Sequence, residues 1–259
     1  MDLELKGRLA FISGSSRGIG KGIAETLLEE GCSVAINGRN TDELKKTCKE
    51  LGGRFGNNNV FSLAEDITLP GAAKSALASV TQMAGKTPDI VVPNVGSGRS
   101  EPGWDVTDEE WERMFLLNFF GAVKLAREAV RTMEQTGGDI VFIASIAGME
   151  AIPAPLSYSS AKAALLSYMK NLSETVAPMG IRANAVSPGN VYFEGGTWDG
   201  KLKENRDKVM EYINRAVPLK DFVSPRDVGN AVAFLLSRAG RFITGHNMVV
   251  DGGQVRKII

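Results

Sequence analysis

The feature that most restricts the fold is a regular alternation of short apolar runs with longer helical patterns. The runs are β-rich and almost unbroken in hydrophobicity, as expected for parallel strands that are covered on both faces. We predict strands at residues 8–13, 33–37, 59–63, 89–93, 139–144, 182–187 and 247–250. Repeated β-α-β units of this kind predict an α/β fold, with a doubly wound parallel sheet and helices on both sides.

Helix start signals lie between several of the predicted strands. Asn40 precedes Glu43 at the spacing of a capping box, and Ser224 followed by Pro225 is typical of an N-cap and a first helical residue. No linker, repeat or low-complexity tract divides the 259 residues, which predicts one domain over 1–259. A glycine-rich stretch followed by a short charged helix near 201–215 interrupts the alternation of strands and helices. We predict a substrate lid at about 190–215.

Composition and charge exclude several classes of function. The chain has 30 Lys and Arg against 30 Asp and Glu, so no broad basic field is available to nucleic acid or to an anionic membrane. His246 is the only histidine, which excludes a His-ligated metal cluster, and we predict no metal site. Cys32 and Cys48 lack C-x-x-C spacing and fit free thiols in a reducing compartment. Without a signal-peptide pattern or a long apolar stretch, the chain is expected to be a soluble cytoplasmic protein.

A glycine-rich loop, "SGSSRGIG" at 13–20, joins the first strand to the first helix. Gly14, Gly18 and Gly20 let the backbone turn tightly, approach a pyrophosphate and pack the helix close to the sheet. The helix N-terminus supplies N–H donors and a positive dipole to phosphates. A generic strand-to-helix turn is the alternative, but the position inside the first βαβ unit favours a dinucleotide.

The end of the second strand indicates which dinucleotide is bound. A chain that selects NAD places an acid there for the ribose 2′-hydroxyl, and this sequence has Gly38 followed by Arg39. Arg17, inside the glycine loop, lies near the same end of the cofactor. Two guanidinium groups without a carboxylate favour a phosphate dianion, and therefore NADP(H) over NAD(H). Two solvated loop arginines are the alternative.

Polar residues also follow the third and fourth strands. Asp66 could accept a hydrogen bond from an adenine amino group, or it could be a carboxylate near a helix N-terminus. Asn94 and Gly96 would let the main chain pass close to the cofactor, although an asparagine that ties adjacent strands together is an alternative for Asn94. These ends of parallel strands are where open α/β sheets build their sites.

Four further residues carry reactive or polar groups. Ser145 follows the strand at 139–144, and Asn118 is an amide within the apolar run "RMFLLNFFGAV". A buried amide without partners costs about 1–3 kcal/mol, so a polar group should meet it. Tyr158 and Lys162 lie four positions apart, which makes them neighbours on one helix face.

Together with the glycine loop, these residues resemble the short-chain dehydrogenase/reductase family over essentially the whole chain, including its 3-oxoacyl reductases and its sugar and alcohol dehydrogenases. The resemblance extends to the thirteen-residue step from Ser145 to Tyr158, to Pro188-Gly189 and to the closing "VVDGGQ". It implies a seven-stranded Rossmann-type sheet and a catalytic tetrad of Asn118, Ser145, Tyr158 and Lys162. The candidate cofactor-binding residues are Gly14, Ser16, Arg17, Gly18, Ile19, Gly20, Arg39, Asp66, Ile67, Asn94, Gly96, Tyr158, Lys162, Pro188, Gly189 and Val191.

Each member of the tetrad has an expected task. Tyr158 is the acid in reduction and the base in oxidation, although a free phenol titrates near pH 10. Lys162 is expected to stabilise the phenolate by its charge and to hold the nicotinamide ribose. Ser145 donates a hydrogen bond to the substrate oxygen. Asn118, through its helix backbone and an ordered water, would link Lys162 to solvent.

The lid departs from the family pattern. Where the family commonly has a Thr four positions past the proline, this chain has Tyr192 and Phe193. The Val191 backbone would still bind the carboxamide of the nicotinamide ring. Thr197 could supply the hydroxyl that the family's Thr provides. Tyr192, Phe193 and Trp198 could form an aromatic wall, or they could pack the loop onto itself.

These observations predict an NADP(H)-dependent oxidoreductase of a small ketone, sugar or cyclic alcohol. A 3-oxoacyl-thioester reductase acting on acyl carrier protein is the alternative, disfavoured because the stretches at 131–139 and 175–182 are poor in exposed cations. A non-catalytic NADP-binding sensor would tend to lose the Tyr, Lys or Ser. An epimerase or dehydratase would need an added C-terminal domain. The surplus of apolar residues at 161–169, with the family resemblance, implies a homodimer or homotetramer through this helix and the helix at 107–134.

Overall fold

The computed structural model describes residues 2–256, which form one sheet of seven parallel strands flanked by helices. The strand order is β3-β2-β1-β4-β5-β6-β7. The strands are β1 Leu9–Ile12, β2 Ser33–Gly38, β3 Val60–Ala64, β4 Ile90–Val92, β5 Gly138–Ile143, β6 Ile181–Pro188 and β7 Asn247–Val250. Each predicted strand overlaps one of these, and the predicted doubly wound sheet is confirmed.

The helices alternate with the strands along the described residues. They are α1 Gly18–Glu29, α2 Thr41–Phe55, α3 Ala72–Ala84, α4 Asp108–Phe115, α5 Gly121–Met133, α6 Leu156–Val176, α7 Thr197–Glu204, α8 Arg206–Ala216 and α9 Pro225–Leu236. The helix predicted near 201–215 is therefore two helices, because the backbone leaves the helical conformation at Asn205. None of the helices in residues 2–256 has the length and apolar character that a membrane span requires.

Two hydrophobic cores cover the two faces of the sheet. Side chains of α1, α2 and α9, such as Leu27, Leu51 and Val232, pack on one face. Side chains of α3, α5 and α6, such as Leu125 and Leu165, pack on the other. Because both faces are covered, the central strands are apolar along their whole length, which explains the unbroken hydrophobic runs in the sequence.

The strand order places a crevice at the carboxyl ends of β1 and β4. The chain runs outward from β1 to β2 and β3, then returns across the sheet to β4 on the other side of β1. The connections after β1 and β4 therefore diverge to opposite faces of the sheet. Ligands of open α/β sheets bind in the crevice at such a switch point.

Both cysteines are free thiols in the part of the chain that the structure describes. Cys32 is buried and Cys48 is partly buried. Burial raises the pKa of Cys32 to about 12, so this thiol stays protonated at neutral pH. Cys32 is accordingly an inert core residue.

Helices α1 and α9 cross at close range, with a glycine of each helix at the crossing. Gly22 of α1 faces Pro225, the first residue of α9, and a methyl group on Gly22 would lie 2.7 Å from the Pro225 carbonyl carbon. Gly229 approaches the backbone of Gly22 as closely, since a methyl group on Gly229 would lie 2.9 Å from the Gly22 carbonyl oxygen. The two glycines therefore set the distance between the helices.

We predict that Gly22→Ala lowers the free energy of unfolding by about 1–3 kcal/mol, because the added methyl group meets backbone that cannot move freely. Gly53→Ala is the matched control: Gly53 lies in α2, and a methyl group there would have no neighbour within 4 Å. The control should gain about 0.5–1 kcal/mol from the higher helix propensity of alanine. Urea unfolding of both variants measures the difference, and equal effects would contradict the tight crossing.

Candidate active site

A cleft of about 1370 Å³ opens at the carboxyl ends of the strands. All the predicted site residues except Asn118 line it, namely Gly14, Ser16, Arg17, Gly18, Ile19, Gly20, Arg39, Asp66, Ile67, Asn94, Gly96, Ser145, Tyr158, Lys162, Pro188, Gly189 and Val191. Asn118 is fully buried behind the lining. The fold thus brings together residues that are scattered over most of the chain.

The glycine loop has the geometry of a phosphate cradle. Gly14 and Gly18 have φ angles of +63° and +57°, in the region that favours glycine. A methyl group on Gly20 would lie 2.5 Å from the Gly14 carbonyl oxygen, so the turn has no room for a side chain. The first turn of α1 contains no acidic residue and has no side-chain cap. Its free N–H groups and positive dipole therefore fit the pyrophosphate of a dinucleotide.

Asn94 holds the glycine loop in place. Its side-chain Nδ2 donates to the carbonyl oxygens of Ser13 (3.0 Å) and Gly14 (2.9 Å), and its backbone N–H donates to Ser13 Oγ (2.9 Å). The alternative that an asparagine ties adjacent strands together is therefore correct for this side chain. A direct contact of Asn94 with a cofactor stays a prediction.

Arg17, in the loop after β1, and Arg39, directly after β2, both line the cleft, and each lies beside a carboxylate. Arg17 Nε is 3.8 Å from Glu43 Oε1, and Arg39 Nη1 donates to Asp66 Oδ2 at 3.5 Å. Ser16 Oγ donates to the other oxygen of Glu43 at 3.0 Å. Sequence reasoning found both arginines but missed Glu43 as a residue of this site.

The missed carboxylate had a signal in the sequence, its position three residues after Asn40. Asn40 Oδ1 accepts from the backbone N–H groups of Asp42 (3.1 Å) and Glu43 (3.0 Å), so the N-cap forms as predicted. The reciprocal half of the capping box does not form, because the Glu43 carboxylate turns instead to Ser16. At the start of α9, by contrast, Ser224 and Asp227 close a complete capping box.

Asp66 has the predicted role of a carboxylate near a helix N-terminus, and its contact with an adenine amino group stays a prediction. Oδ1 accepts from the Thr68 N–H (3.0 Å) and from Thr68 Oγ1 (2.7 Å), which caps the turn that leads to α3. Oδ2 faces Arg39. Burial raises the pKa of Asp66, but the hydrogen bonds from Thr68 and the charge of Arg39 outweigh burial and lower it overall. Asp66 is therefore an anion in the cleft.

Asn118 lies in a π-helical turn, Leu116–Phe120, between α4 and α5. Such turns are rare and occur frequently at functional sites. Asn118 Nδ2 donates to the carbonyl oxygens of Met114 (3.0 Å) and Ser97 (3.2 Å), and Oδ1 accepts from the Ser97 N–H (2.9 Å). The buried amide has the polar partners that we expected, and it fixes the loop after β4.

Lys162 is a buried ammonium group directly behind the cleft. The residue is only 3% exposed, and Nζ donates to the Ile143 carbonyl oxygen at 2.8 Å. Burial lowers its pKa to about 8. A methyl group on Gly96 would lie 2.8 Å from Asn118 Oδ1 and 3.2 Å from Lys162 Nζ. Glycine is needed at position 96 because these two side chains approach it so closely.

Tyr158 and Ser145 face each other at the same place. Burial raises the pKa of Tyr158, and a hydrogen bond with Ser145 acts in the opposite direction. Lys162 Nζ lies 5.9 Å from the centre of the Tyr158 ring. The expected lowering of the Tyr158 pKa by Lys162 is not present in the protein chain, because desolvation is the larger effect and the ammonium group points to the Ile143 carbonyl.

The aromatic residues of the lid mostly pack on one another. Tyr192 packs against Phe222, with ring centres 5.9 Å apart, and Trp198 stacks on Tyr212 at 5.7 Å. Tyr192 does not line the cleft, because its ring packs against Phe222; of the two alternatives for this residue, packing of the loop onto itself is the one that the structure shows. Phe193 and Trp198 do line the cleft, and Phe193 covers the glycine loop: a methyl group on Gly18 would lie 2.6 Å from its ring.

Comparison with known proteins agrees with this geometry. A family model described as enoyl-(acyl carrier protein) reductase matches residues 14–254. The 3-oxoacyl-(acyl-carrier-protein) reductase of Rickettsia felis is 34% identical over 254 residues, covering 98% of this chain and 99% of the relative. The NAD-dependent glycerol dehydrogenase of Listeria innocua is 30% identical over 259 residues, covering 99% and 97%.

Solved structures show the same likeness. L-sorbose reductase from Gluconobacter frateurii, complexed with NADPH and L-sorbose, superimposes with a TM-score of 0.89 at 31% identity, covering all of both chains. The sheet order, the glycine loop and the cluster of serine, tyrosine and lysine in the cleft fit the same family. The chain belongs to the short-chain dehydrogenase/reductase family and is an oxidoreductase that acts on alcohols and ketones.

Proposed function

We propose that the protein transfers a hydride between NADP(H) and the carbonyl or secondary alcohol group of a small molecule, such as a ketone, a sugar or a cyclic alcohol. The observation that carries this proposal is the meeting of Ser145, Tyr158 and Lys162 in one cleft with an uncapped helix N-terminus. A bound nicotinamide supplies or accepts the hydride. The protein binds the substrate, orients it and moves the proton.

In the direction of reduction, Ser145 and Tyr158 act on the substrate oxygen. The Ser145 hydroxyl donates a hydrogen bond to it, and the Tyr158 hydroxyl gives it a proton as negative charge develops. Burial keeps Tyr158 protonated until that moment, because it raises the pKa of the phenol. In oxidation Tyr158 acts as the base and takes the proton of the alcohol, while Ser145 still forms a hydrogen bond with the substrate oxygen.

Lys162 provides the charge that makes this proton transfer possible. The phenolate that forms at Tyr158 would be costly in a buried site without a nearby cation. Lys162 lies close enough to stabilise it, and its backbone partner Ile143 holds the ammonium group in position. Asn118, which like Lys162 approaches Gly96 closely, is proposed to connect Lys162 to solvent through a water molecule.

NADP(H) is the proposed cofactor because Arg17 and Arg39 both lie at the end of the cleft where a 2′-phosphate would be held. The NADPH found with L-sorbose reductase is consistent with this choice. The further binding residues proposed on the nicotinamide side are Pro188, Gly189 and Val191, which follow β6 and line the cleft.

A second candidate substrate is a 3-oxoacyl thioester on acyl carrier protein. The lid turns three cations toward the cleft, namely Lys201, Lys208 and Arg215, and none of them forms an ion pair within residues 2–256. Glu204 and Glu211 line the same surface, so the excess of positive charge is small. A weakly basic rim is less favourable for an acidic carrier than for a small molecule.

We also propose a cytoplasmic homodimer or homotetramer. Leu116 and Phe120, in the π-helical turn next to α4 and α5, are 39% and 48% exposed. Exposed apolar side chains that lie together are typical of subunit interfaces. The two free thiols agree with a reducing compartment.

Tyr158 is the proposed proton donor, and its hydroxyl can be removed with little change in the size of the side chain. Tyr158→Phe should reduce turnover by about a thousandfold, because the acid is lost. Its affinity for NADPH should change by less than about threefold, since the ring remains. Tyr168→Phe is the matched control, because Tyr168 lies in the same helix but packs against Phe119 and Phe142. NADPH absorbance, followed with a panel of ketones, sugars and acyl thioesters, measures turnover, and near wild-type rates for Tyr158→Phe would contradict the proposal.

The charge on Lys162 makes the reaction depend on pH. Lys162 is charged below its pKa of about 8 and neutral above it. Reduction needs the charged form, so kcat/KM for the carbonyl substrate should fall about tenfold per pH unit above that value. Steady-state rates between pH 6 and pH 10, with NADPH affinity measured at each pH as the control, give the profile. A constant kcat/KM up to pH 10 would exclude this role for Lys162.

A further inference from the structure

The end of β2 lacks the acid that recognises a ribose 2′-hydroxyl, but a carboxylate reaches the same place from α2. Glu43, in the first turn of α2, lines the cleft beside Gly38 and Arg39. Its Oε2 accepts a hydrogen bond from Ser16 Oγ at 3.0 Å, and its Oε1 lies 3.8 Å from Arg17 Nε. The carboxylate therefore stands among the donors on which NADP(H) recognition would depend.

Two hydrogen-bond donors lie within reach of the Glu43 carboxylate, the Asn40 backbone N–H and the Ser16 hydroxyl. At the third position of its helix, Glu43 could close a capping box with the Asn40 N–H, as Asp227 does with Ser224 in α9. It accepts from Ser16 instead. The Ser16 hydroxyl is almost completely buried, with 9% of the residue exposed, so its donor needs an acceptor in the protein or in a ligand.

A carboxylate and a 2′-phosphate would compete for the same hydroxyl and the same guanidinium group. Both are anions, so a phosphate bound at Ser16 and Arg17 repels Glu43 and must displace it. A ribose 2′-hydroxyl has the opposite relation to Glu43, because a hydroxyl can donate to a carboxylate. The second arginine is also partly neutralised, since Arg39 faces Asp66.

We propose that Glu43 sets the cofactor preference: it accepts the ribose 2′-hydroxyl of NAD(H) and opposes the 2′-phosphate of NADP(H). The inference rests on the proposed function, because it assumes that a dinucleotide binds in this cleft. Arg17 and Arg39 still favour NADP(H), but Glu43 reduces that preference and lets the protein bind both dinucleotides.

The test is the ratio of the NADH and NADPH dissociation constants, measured with the full chain by nicotinamide fluorescence. Glu43→Gln, which keeps the size of the side chain, should bind NADPH more tightly and NADH more weakly. The ratio should rise by about tenfold or more, because a negative charge next to the phosphate is lost. Adenosine 2′,5′-bisphosphate should also bind more tightly to this variant, whereas adenosine 5′-monophosphate should not.

Asp42→Asn is the matched control. Asp42 carries the same charge in the same helical turn, but it does not line the cleft. Its ratio should stay within about twofold of the wild-type ratio. Glu43→Ala serves as a second variant and should shift the ratio in the same direction as Glu43→Gln.

Two results would overturn the inference alone: a ratio that changes by less than about twofold in both Glu43 variants, or an equal shift in Asp42→Asn. If the wild-type protein binds neither dinucleotide nor adenosine 2′,5′-bisphosphate, the proposed function fails and this inference fails with it. The binding assay therefore distinguishes an error in the role of Glu43 from an error in the function.

Discussion

The active site depends on keeping one ammonium group out of water. Lys162 is buried between the sheet and α6, with the Ile143 carbonyl oxygen as its hydrogen-bond partner. Desolvation lowers the pKa of Lys162, and the ammonium group lies 5.9 Å from the centre of the Tyr158 ring, where we propose that it stabilises the phenolate once that anion forms. Gly96 makes this possible, because only a residue without a side chain lets Lys162 and Asn118 approach the loop after β4 so closely. Burying a cation costs folding stability, and the proposed role of Lys162 in proton transfer is the reason that the protein tolerates this cost.

The polar groups at the two ends of the cleft differ in how much of them is exposed to solvent. At the nicotinamide end, buried groups hold a few polar atoms rigidly in low dielectric, which favours proton transfer at a defined position. At the adenosine end, Arg17, Arg39, Glu43 and Asp66 are partly exposed, with side chains that are between 26% and 71% accessible. Partly solvated charges of this kind contribute more to the choice between cofactors than to affinity.

The sequence was sufficient for the fold and for most of the site, and particular residues show why it went no further. Strand patterns and the glycine loop are local signals that repeat in β-α-β order, so a doubly wound parallel sheet with its site at the carboxyl ends of the strands was predictable. The direction in which a given side chain points could not be predicted in the same way. Glu43 had two acceptable partners, Asn40 and Ser16, and only the packed structure decides between them. The Tyr192 ring could likewise face the cleft or pack within its own loop, and it packs against Phe222. The pKa of Tyr158 depends on the depth of burial, which spacing along a helix does not reveal.

The measurement that tests the central claim most directly is the titration of the Lys162 ammonium group itself. Lysine side chains labelled with ¹³C at Cε report their own protonation by NMR, and Lys162→Met identifies the signal that belongs to this residue. The buried site predicts a midpoint near its pKa of about 8, well below the ordinary value of 10.5. A midpoint at the ordinary value would show that Lys162 is solvated, and it would contradict the view that burial of this cation organises the active site.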